Sequence, residues 1–416
     1  MDVEALSAFQ GGDVSEALRE NALPAGFGLY GRRCGISSVE GKKDIALFYS
    51  FRPARAAGVF TTNLVKAAPV RLCQKRLKGK GPFRGVLINS GCANACTGAR
   101  GMKDAEDSLK LLGKGLDLDA DQLLVASTGV IGRFLPREAL EAGVKGLAED
   151  VAANLVSVDN AVRSVMTTDT RPKAARARFE FGGNTFTVWG CAKGAGMIHP
   201  NMATMLSVVL TDAGLPQKEL HDSLRWAVDR SFNRVTVDGD TSTNDSLFLL
   251  ANGAVKEFSK PPKKLLDLFR SALHAVCLSL SVQIAADGEG ATRTAWIFVK
   301  GAKTEAAASK LASTVATSPL FKTALNGADP NWGRVLAALG RAGVPFDPDK
   351  TELRFGDVVV YDRGMKTDYD EKALHGLLTK EKVVVRADLR AGEAWSFAVT
   401  CDFSKEYVAI NADYTT

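Results

Sequence analysis

Apolar positions recur with a period near two in some stretches of the chain and near 3.6 in others, and the two periods divide it into elements. Ile45 to Ser50, Gly58 to Phe60 and Gly85 to Asn89 read as strands, so the whole region 29–90 reads as strand-like, with a Lys/Gly-rich turn at 76–82. Asp104 to Leu112 and Pro136 to Leu155 have helical periodicity, and Pro136 followed by Glu138 is a helix-start signal. Residues 176–190 alternate about Gly182-Gly183-Asn184, which predicts a hairpin. Thr204 to Leu210 is an apolar strand entered from a loop of glycine and proline. Pro216 opens a helix to about Arg230, and Pro262 opens a longer one to about Val282. A strand at Thr294 to Val299, helices at Ala306 to Val315 and Trp332 to Leu339, and a hairpin turning at Gly356-Asp357 follow. Val383 to Arg386, Trp395 to Thr400 and Tyr407 to Ile410 read as closing strands. The elements mix without strict strand–helix–strand alternation. The expectation is therefore a layered α+β fold rather than a doubly wound parallel sheet.

Composition narrows the class. A chain of 416 residues exceeds the usual single-core size and points to two or three lobes. With 46% apolar and 24% charged residues it reads as an ordinary globular protein. The net charge of +6 is modest, and no basic run interleaved with aromatics appears, so nucleic acid is not an expected partner. The seven cysteines are odd in number and scattered. Only Cys92 and Cys96 lie close, without a second Cys/His pair, so neither a metal site nor a disulfide framework is expected, and reduced thiols fit a cytoplasmic protein. The N-terminal residues do not have the pattern of a secretory signal, and no apolar stretch is expected to reach membrane-spanning length.

The stretch with the most chemistry is Lys193 to Leu206, Lys-Gly-Ala-Gly-Met-Ile-His-Pro-Asn-Met-Ala-Thr-Met-Leu. Gly194, Gly196 and Pro200 permit and fix a strained loop. Ala203 is small and leaves its carbonyl open to the hydroxyl of Thr204. An N→O acyl shift there, followed by hydrolysis, would free Thr204 as an N-terminal residue. It would carry a nucleophile and, in its α-amine of reference pKa about 8, a base. The same residues also suit an ordinary loop entering a strand. Ser127-Thr128-Gly129, after the apolar Leu123-Leu124-Val125, offers amide and hydroxyl donors for an oxyanion, or a plain turn. Lys193 and Glu289 suit surface positions as well as ligand contacts. Asp238, Asp240 and Asp245 lack the glutamate that ends an EF-hand loop and read as a hydrogen-bonded turn near the site. His199 could line the site, although an α-amine base makes a histidine unnecessary.

The Lys193–Leu206 stretch resembles the self-cleavage segment of the ornithine acetyltransferase family, the bifunctional glutamate N-acetyltransferase/amino-acid acetyltransferase of arginine biosynthesis. Further blocks resemble that family in its own order. They are Asn-Ser-Gly-Cys-Ala-Asn-Ala-Cys-Thr-Gly (89–98), Ser-Thr-Gly-Val-Ile-Gly (127–132), Met-Thr-Thr-Asp-Thr (166–170), Asp-Gly-Asp-Thr-Ser-Thr-Asn-Asp (238–245), Asp-Gly-Glu-Gly-Ala-Thr (287–292), Asp-Pro-Asn-Trp-Gly-Arg (329–334) and Ile-Asn-Ala-Asp-Tyr-Thr-Thr (410–416). Cys92 stands where the family usually has asparagine.

The resemblance implies an α+β fold of the layered α/β/β/α sandwich type with N-terminal-nucleophile chemistry. One precursor would be cut at Ala203–Thr204 into interlocked chains 1–203 and 204–416, pairing as α2β2. Acetyl would pass from N2-acetyl-L-ornithine to L-glutamate through acetyl-Thr204, with Thr128 and Gly129 stabilising the oxyanion. Thr167 (or its neighbour Thr168), Lys193, Thr204, Glu289, Asn411 and Thr416 would bind substrate. Lys193 would face the α-carboxylate and Glu289 the δ-ammonium. No metal or bound cofactor is implied, and some members also take acetyl-CoA as donor. The competing readings are a related N-terminal-nucleophile aminopeptidase or amidase, with water as acceptor, and an inactive amino-acid-binding homologue.

Overall fold

The computed structural model describes residues 3–7, 13–79, 81–199 and 205–413. In chain order its strands are β1 (Phe27–Arg32), β2 (Ile45–Phe60), β3 (Phe83–Asn89), β4 (Leu123–Ser127), β5 (Lys173–Phe181), β6 (Asn184–Lys193), β7 (Leu206–Gly214), β8 (Val235–Thr236), β9 (Ser246–Glu257), β10 (Thr294–Ala302), β11 (Glu352–Phe355), β12 (Val358–Asp362), β13 (Met365–Lys366), β14 (Lys382–Asp388) and β15 (Ala394–Cys401). Among the described residues they form two sheets. The first runs β4-β3-β2-β9-β7-β6-β5, with β1 also paired to β2, and the second runs β13-β12-β11-β14-β10-β15-β8.

The apolar run at the start of β7 is explained by burial on both faces. Leu206, Val208 and Leu210 point into one core, with Phe48, Leu87, Leu109 and Leu147. Val209 and Ala213 point into a second core, with Leu224, Phe269 and Leu273. A strand covered on both sides has no need of a polar alternate face, so its period-two signal disappears from the sequence. Helices Ala68–Arg76, Gly98–Leu116, Arg137–Ala152 and Val158–Ser164 supply the first core. Gln217–Asp229 and Lys263–Ala286 supply the second, and Trp296, Phe298, Phe397 and Val399 of the second sheet complete it. A third core lies on the far side of that sheet, under Glu305–Ala316, Pro319–Asn326, Trp332–Gly340 and Glu371–Leu378. The layered α+β expectation holds, with two helices shared between the sheets.

Several expected elements are present. The hairpin at Gly182-Gly183 joins β5 to β6, and both glycines sit at positive φ, where a side chain would be strained. Pro216 and Pro262 immediately precede helices, each supplying the fixed φ of a helix entry. All seven cysteines are free.

Three expectations change. Tyr407 to Ile410 is not a strand but part of the helix Lys405–Asp413, because the Tyr407 ring stacks on Phe403 at 4.8 Å and Asn411 Nδ2 donates to Tyr407 O one turn back. The strand-like region 29–90 is interrupted by the helix Ala68–Arg76, started by Pro69. Lys263–Ala286 is long and apolar enough to cross a bilayer, contrary to expectation. Here its apolar residues, among them Phe269, Leu273, Val276 and Leu280, are spent on the core between the sheets.

Residues on the two sides of position 203/204 share one sheet. Antiparallel β6 and β7 pair from Val188–Thr211 to Lys193–Leu206, and β7 is parallel to β9 on its other edge. This places the end of β6 and the start of β7 side by side at one rim of the sheet.

Candidate active site

At that rim lies a cavity of about 130 Å³. Thr128, Gly129, Thr167, Lys193, Glu289 and Asn411 all line it, although they come from five separated parts of the chain. Thr128 and Gly129 follow β4, Thr167 precedes β5, and Lys193 ends β6. Glu289 follows the helix Lys263–Ala286, and Asn411 stands on the last helix. Thr168 lines the same wall as Thr167, so lining does not choose between them. Ala203, Thr204 and Thr416 lie outside the described residues.

The corner formed by Thr128 and Gly129 holds two available donors. Thr128 N is engaged by Asn89 O at 3.0 Å and Val130 N by Gly91 O at 3.4 Å. Among the described residues the Gly129 amide between them donates no hydrogen bond. Gly129 has φ +122, and a Cβ there would sit 2.7 Å from Cys92 N, so both conformation and space demand glycine. Lys193, only 4% exposed, points its Nζ at Thr128 Oγ1 at 3.3 Å. Burial pushes the Lys193 ammonium below the usual lysine range, and Asp169, Asp245 and Glu289 act to restore it.

Part of the lining is acidic. Asp238, Asp240 and Glu289 all line the cavity. Glu289 Oε2 accepts from Asn411 Nδ2 at 2.8 Å, and Glu289 N donates to Ala195 O at 2.9 Å. A side chain at Gly196 would overlap the Glu289 carboxylate, so that glycine is what lets the loop after β6 close over it. The cavity therefore has a cationic end at Lys193 and an anionic end at Glu289. That polarity matches a zwitterion with an α-carboxylate at one end and an ammonium at the other.

The acidic turn 238–245 grips both flanks of the Gly/Pro loop. Asp238 accepts from Met197 N at 2.6 Å and Ile198 N at 2.9 Å, and burial pushes its carboxyl up to about 6 against those bonds. Asp245, 1% exposed, accepts from Met205 N at 3.0 Å, and burial pushes its carboxyl well above the usual range. Among the described residues its Oδ2 has no hydrogen-bond partner. His199 does not line the cavity; its Nδ1 lies 3.3 Å from Thr236 Oγ1, and burial holds its pKa below the usual value.

Several lining residues had no sequence-based assignment. Ser242, Thr243 and Asn244 line the cavity, and Asn244 Nδ2 donates to Ala93 O and Ser127 O, tying the acidic turn to the Thr128 corner. Tyr407 lines it one helical turn before Asn411. The i, i+4 spacing of Tyr407 and Asn411 was the available signal, hidden by the expectation of a strand.

A model of the ArgJ family matches residues 29–416. The chain is 48% identical over 395 residues to the arginine biosynthesis bifunctional protein ArgJ of Symbiobacterium thermophilum, covering 94% of this chain and 98% of that protein. It is 46% identical over 376 residues to the protein of the same description from Dehalococcoides mccartyi, covering 90% and 91%. Among solved structures, an ornithine acetyltransferase from Mycobacterium tuberculosis in complex with ornithine overlaps 43% of this chain and 93% of its own, with 41% identity and a TM-score of 0.40. The sequence relationships extend over nearly the whole chain and include every block that lines the cavity, and on them this chain belongs to the ArgJ family.

Proposed function

We infer that the protein is an acetyltransferase of arginine biosynthesis that cuts itself at Ala203–Thr204 and then moves acetyl from N2-acetyl-L-ornithine to L-glutamate through acetyl-Thr204. The observation that carries this reading is the convergence of Thr128, Gly129, Thr167, Lys193, Glu289 and Asn411 on one cavity beside the start of β7.

Thr204 Oγ attacks the acetyl carbonyl carbon of acetylornithine, and the hydroxyl proton passes to the Thr204 α-amine. The Gly129 N–H and the Thr128 hydroxyl donate to the oxyanion. The C–N bond breaks, ornithine leaves with the proton, and acetyl remains as an ester on Thr204. The α-amine of glutamate attacks that ester, N-acetylglutamate leaves, and the threonine hydroxyl is restored. Lys193 holds the α-carboxylate of donor and acceptor in turn, and Glu289 holds the δ-ammonium of the ornithine portion. Acetyl-CoA is a second donor in this scheme, with the coenzyme A thiol as leaving group at the same carbonyl. Chains 1–203 and 204–416 stay associated, pair as α2β2 and work in the cytoplasm without a metal or bound cofactor.

Intact mass of purified wild-type protein beside Thr204→Ala is the first test. The expected result is two chains for wild type, the second beginning at Thr204, and one uncut chain for the variant. A wild-type chain that stays whole on prolonged incubation removes the α-amine from the mechanism. Incubation of acetylornithine with and without glutamate then separates transfer from hydrolysis. Ornithine released at the same rate without glutamate would identify an amidase instead. Acetylation of glutamate by acetyl-CoA without acetylornithine tests the second donor, and native mass tests the α2β2 assembly.

A further inference from the structure

Behind the cationic end of the cavity lies a set of buried charges with no part in the scheme above. Lys173, at the first position of β5, is 1% exposed. Its ammonium bonds Asp169 Oδ1 at 2.6 Å and also Asp287 Oδ2. Asp169 takes two further bonds, from Gly194 N at 2.6 Å and Thr167 N at 2.9 Å. Asp287 takes bonds from Thr170 N at 3.1 Å and from the Thr170 hydroxyl. One carboxylate therefore fixes the backbone next to Lys193 and at Thr167. The other, two residues before Glu289, fixes the turn that carries it. A single lysine joins the two carboxylates, and its bond to Asp287 reaches across 114 positions of sequence.

We propose that Asp169, Lys173 and Asp287 are the positioning unit of the substrate-carboxylate end of the site, fixing Thr167, Lys193 and the Glu289 turn relative to one another. The proposal rests on the reading above that Lys193 receives the α-carboxylate. Burying this many charges is unfavourable unless each is paired and hydrogen-bonded, and here each carboxylate has a lysine and backbone amides. Further cations border the cluster: Lys42 Nζ donates to Thr167 O at 3.1 Å, and Arg171 Nε lies 3.7 Å from Asp287 Oδ1. Asp169, with Lys173 and Lys193 beside it, is held well below the usual carboxylate range despite its burial. The groups acting on Lys193 are Asp169, Asp245 and Glu289, which favour its charge, and Lys173 and Lys42, which oppose it. In the cut form Asp287 belongs to the chain opposite Asp169 and Lys173, so the unit also joins the two chains at the site.

The test is steady-state kinetics of Asp169→Asn, well below its melting temperature, with acetylornithine and glutamate varied separately. Both substrates place a carboxylate at Lys193, so both KM values should rise about tenfold or more, with kcat changed less than about threefold. The alkaline limb of kcat/KM should move to lower pH, because Lys193 loses the carboxylate that opposes its deprotonation. A contribution to stability alone would lower the melting temperature and leave KM and the limb in place, and either one unchanged in folded protein overturns the proposal. If Asp169→Asn does not fold, Asp287→Asn, which leaves the Asp169 bonds to Thr167 and Gly194 in place, is read by the KM criterion, and unchanged KM values in folded protein overturn the proposal. Lys193→Met is the control. If it leaves both KM values unchanged, the carboxylate reading itself is wrong; if it raises them and neither aspartate variant does, only the present proposal fails.

Discussion

The Lys193 ammonium nitrogen lies 3.3 Å from Thr128 Oγ1, and chemistry fixes the direction of that bond. A protonated lysine has no lone pair, so Lys193 donates and the threonine oxygen accepts. The hydroxyl proton of Thr128 is then free to turn toward the cavity that Thr128 lines, where an oxyanion would sit. Thr128→Val keeps the shape and removes this donor. It should lower kcat about 100-fold or more, roughly 3 kcal/mol, in acetyl transfer from acetylornithine to glutamate. Thr128→Ser should restore most of the rate. Equal rates for valine and wild type would take Thr128 out of the oxyanion site.

Gly129→Ala tests the other donor through the backbone. The new Cβ meets the Gly91–Cys92 peptide and the residue must hold φ +122, each costing about 1–3 kcal/mol. The variant should melt several degrees lower and lose most of its activity, as read by thermal unfolding beside the transfer assay. An alanine variant with wild-type stability and rate would mean that this backbone relaxes freely.

Glu289→Gln separates the two substrates. The carboxylate lies on the acidic part of the lining and keeps its bond from Asn411 Nδ2 at 2.8 Å. Loss of its charge should raise KM for acetylornithine about tenfold, roughly 1.4 kcal/mol, and should not raise KM for glutamate, which has no δ-ammonium. Equal rises for both substrates would move the ammonium site elsewhere.

Asp238 gives a pH dependence of stability with a definite sign. Its folded pKa is raised to about 6, so the contribution is fully present below about pH 4 and is lost as pH rises through about 6. Asp238→Asn removes this titration and also one acceptor for the Met197 and Ile198 amides. Its stability relative to wild type should therefore climb between about pH 4 and 6 and level off above, by at most about 3 kcal/mol. Denaturant unfolding across pH 4–8 measures the difference. A flat difference would place the Asp238 pKa near the ordinary carboxylate value.

The fold was legible where a single residue controls the backbone. Pro216, Pro262 and the Gly182-Gly183 pair each marked an element edge correctly. It was not legible where packing decides. The helix Lys405–Asp413 buries none of its residues, so its apolar positions carry no helical stripe, and Val408 is 66% exposed. Its helical form is fixed instead by the Phe403–Tyr407 stack and the Asn411–Glu289 bond. The site was legible as blocks, because each block is a loop whose glycines or hydroxyls are unusual in themselves. The Asp169–Lys173–Asp287 unit was not, since its two carboxylates lie far apart in sequence and ordinary surface residues would look the same.

The antiparallel ladder between β6 and β7 has a consequence for the lifetime of the cut protein. If Ala203–Thr204 is cut as proposed above, that ladder and the two cores beneath it are held between separate molecules. Refolding then becomes second order in protein concentration, whereas the precursor folds in a unimolecular reaction. Unfolded enzyme diluted to low concentration should recover slowly or not at all, while Thr204→Ala precursor recovers at a rate independent of dilution. A cell would then replace heat-damaged enzyme by new synthesis rather than by renaturation.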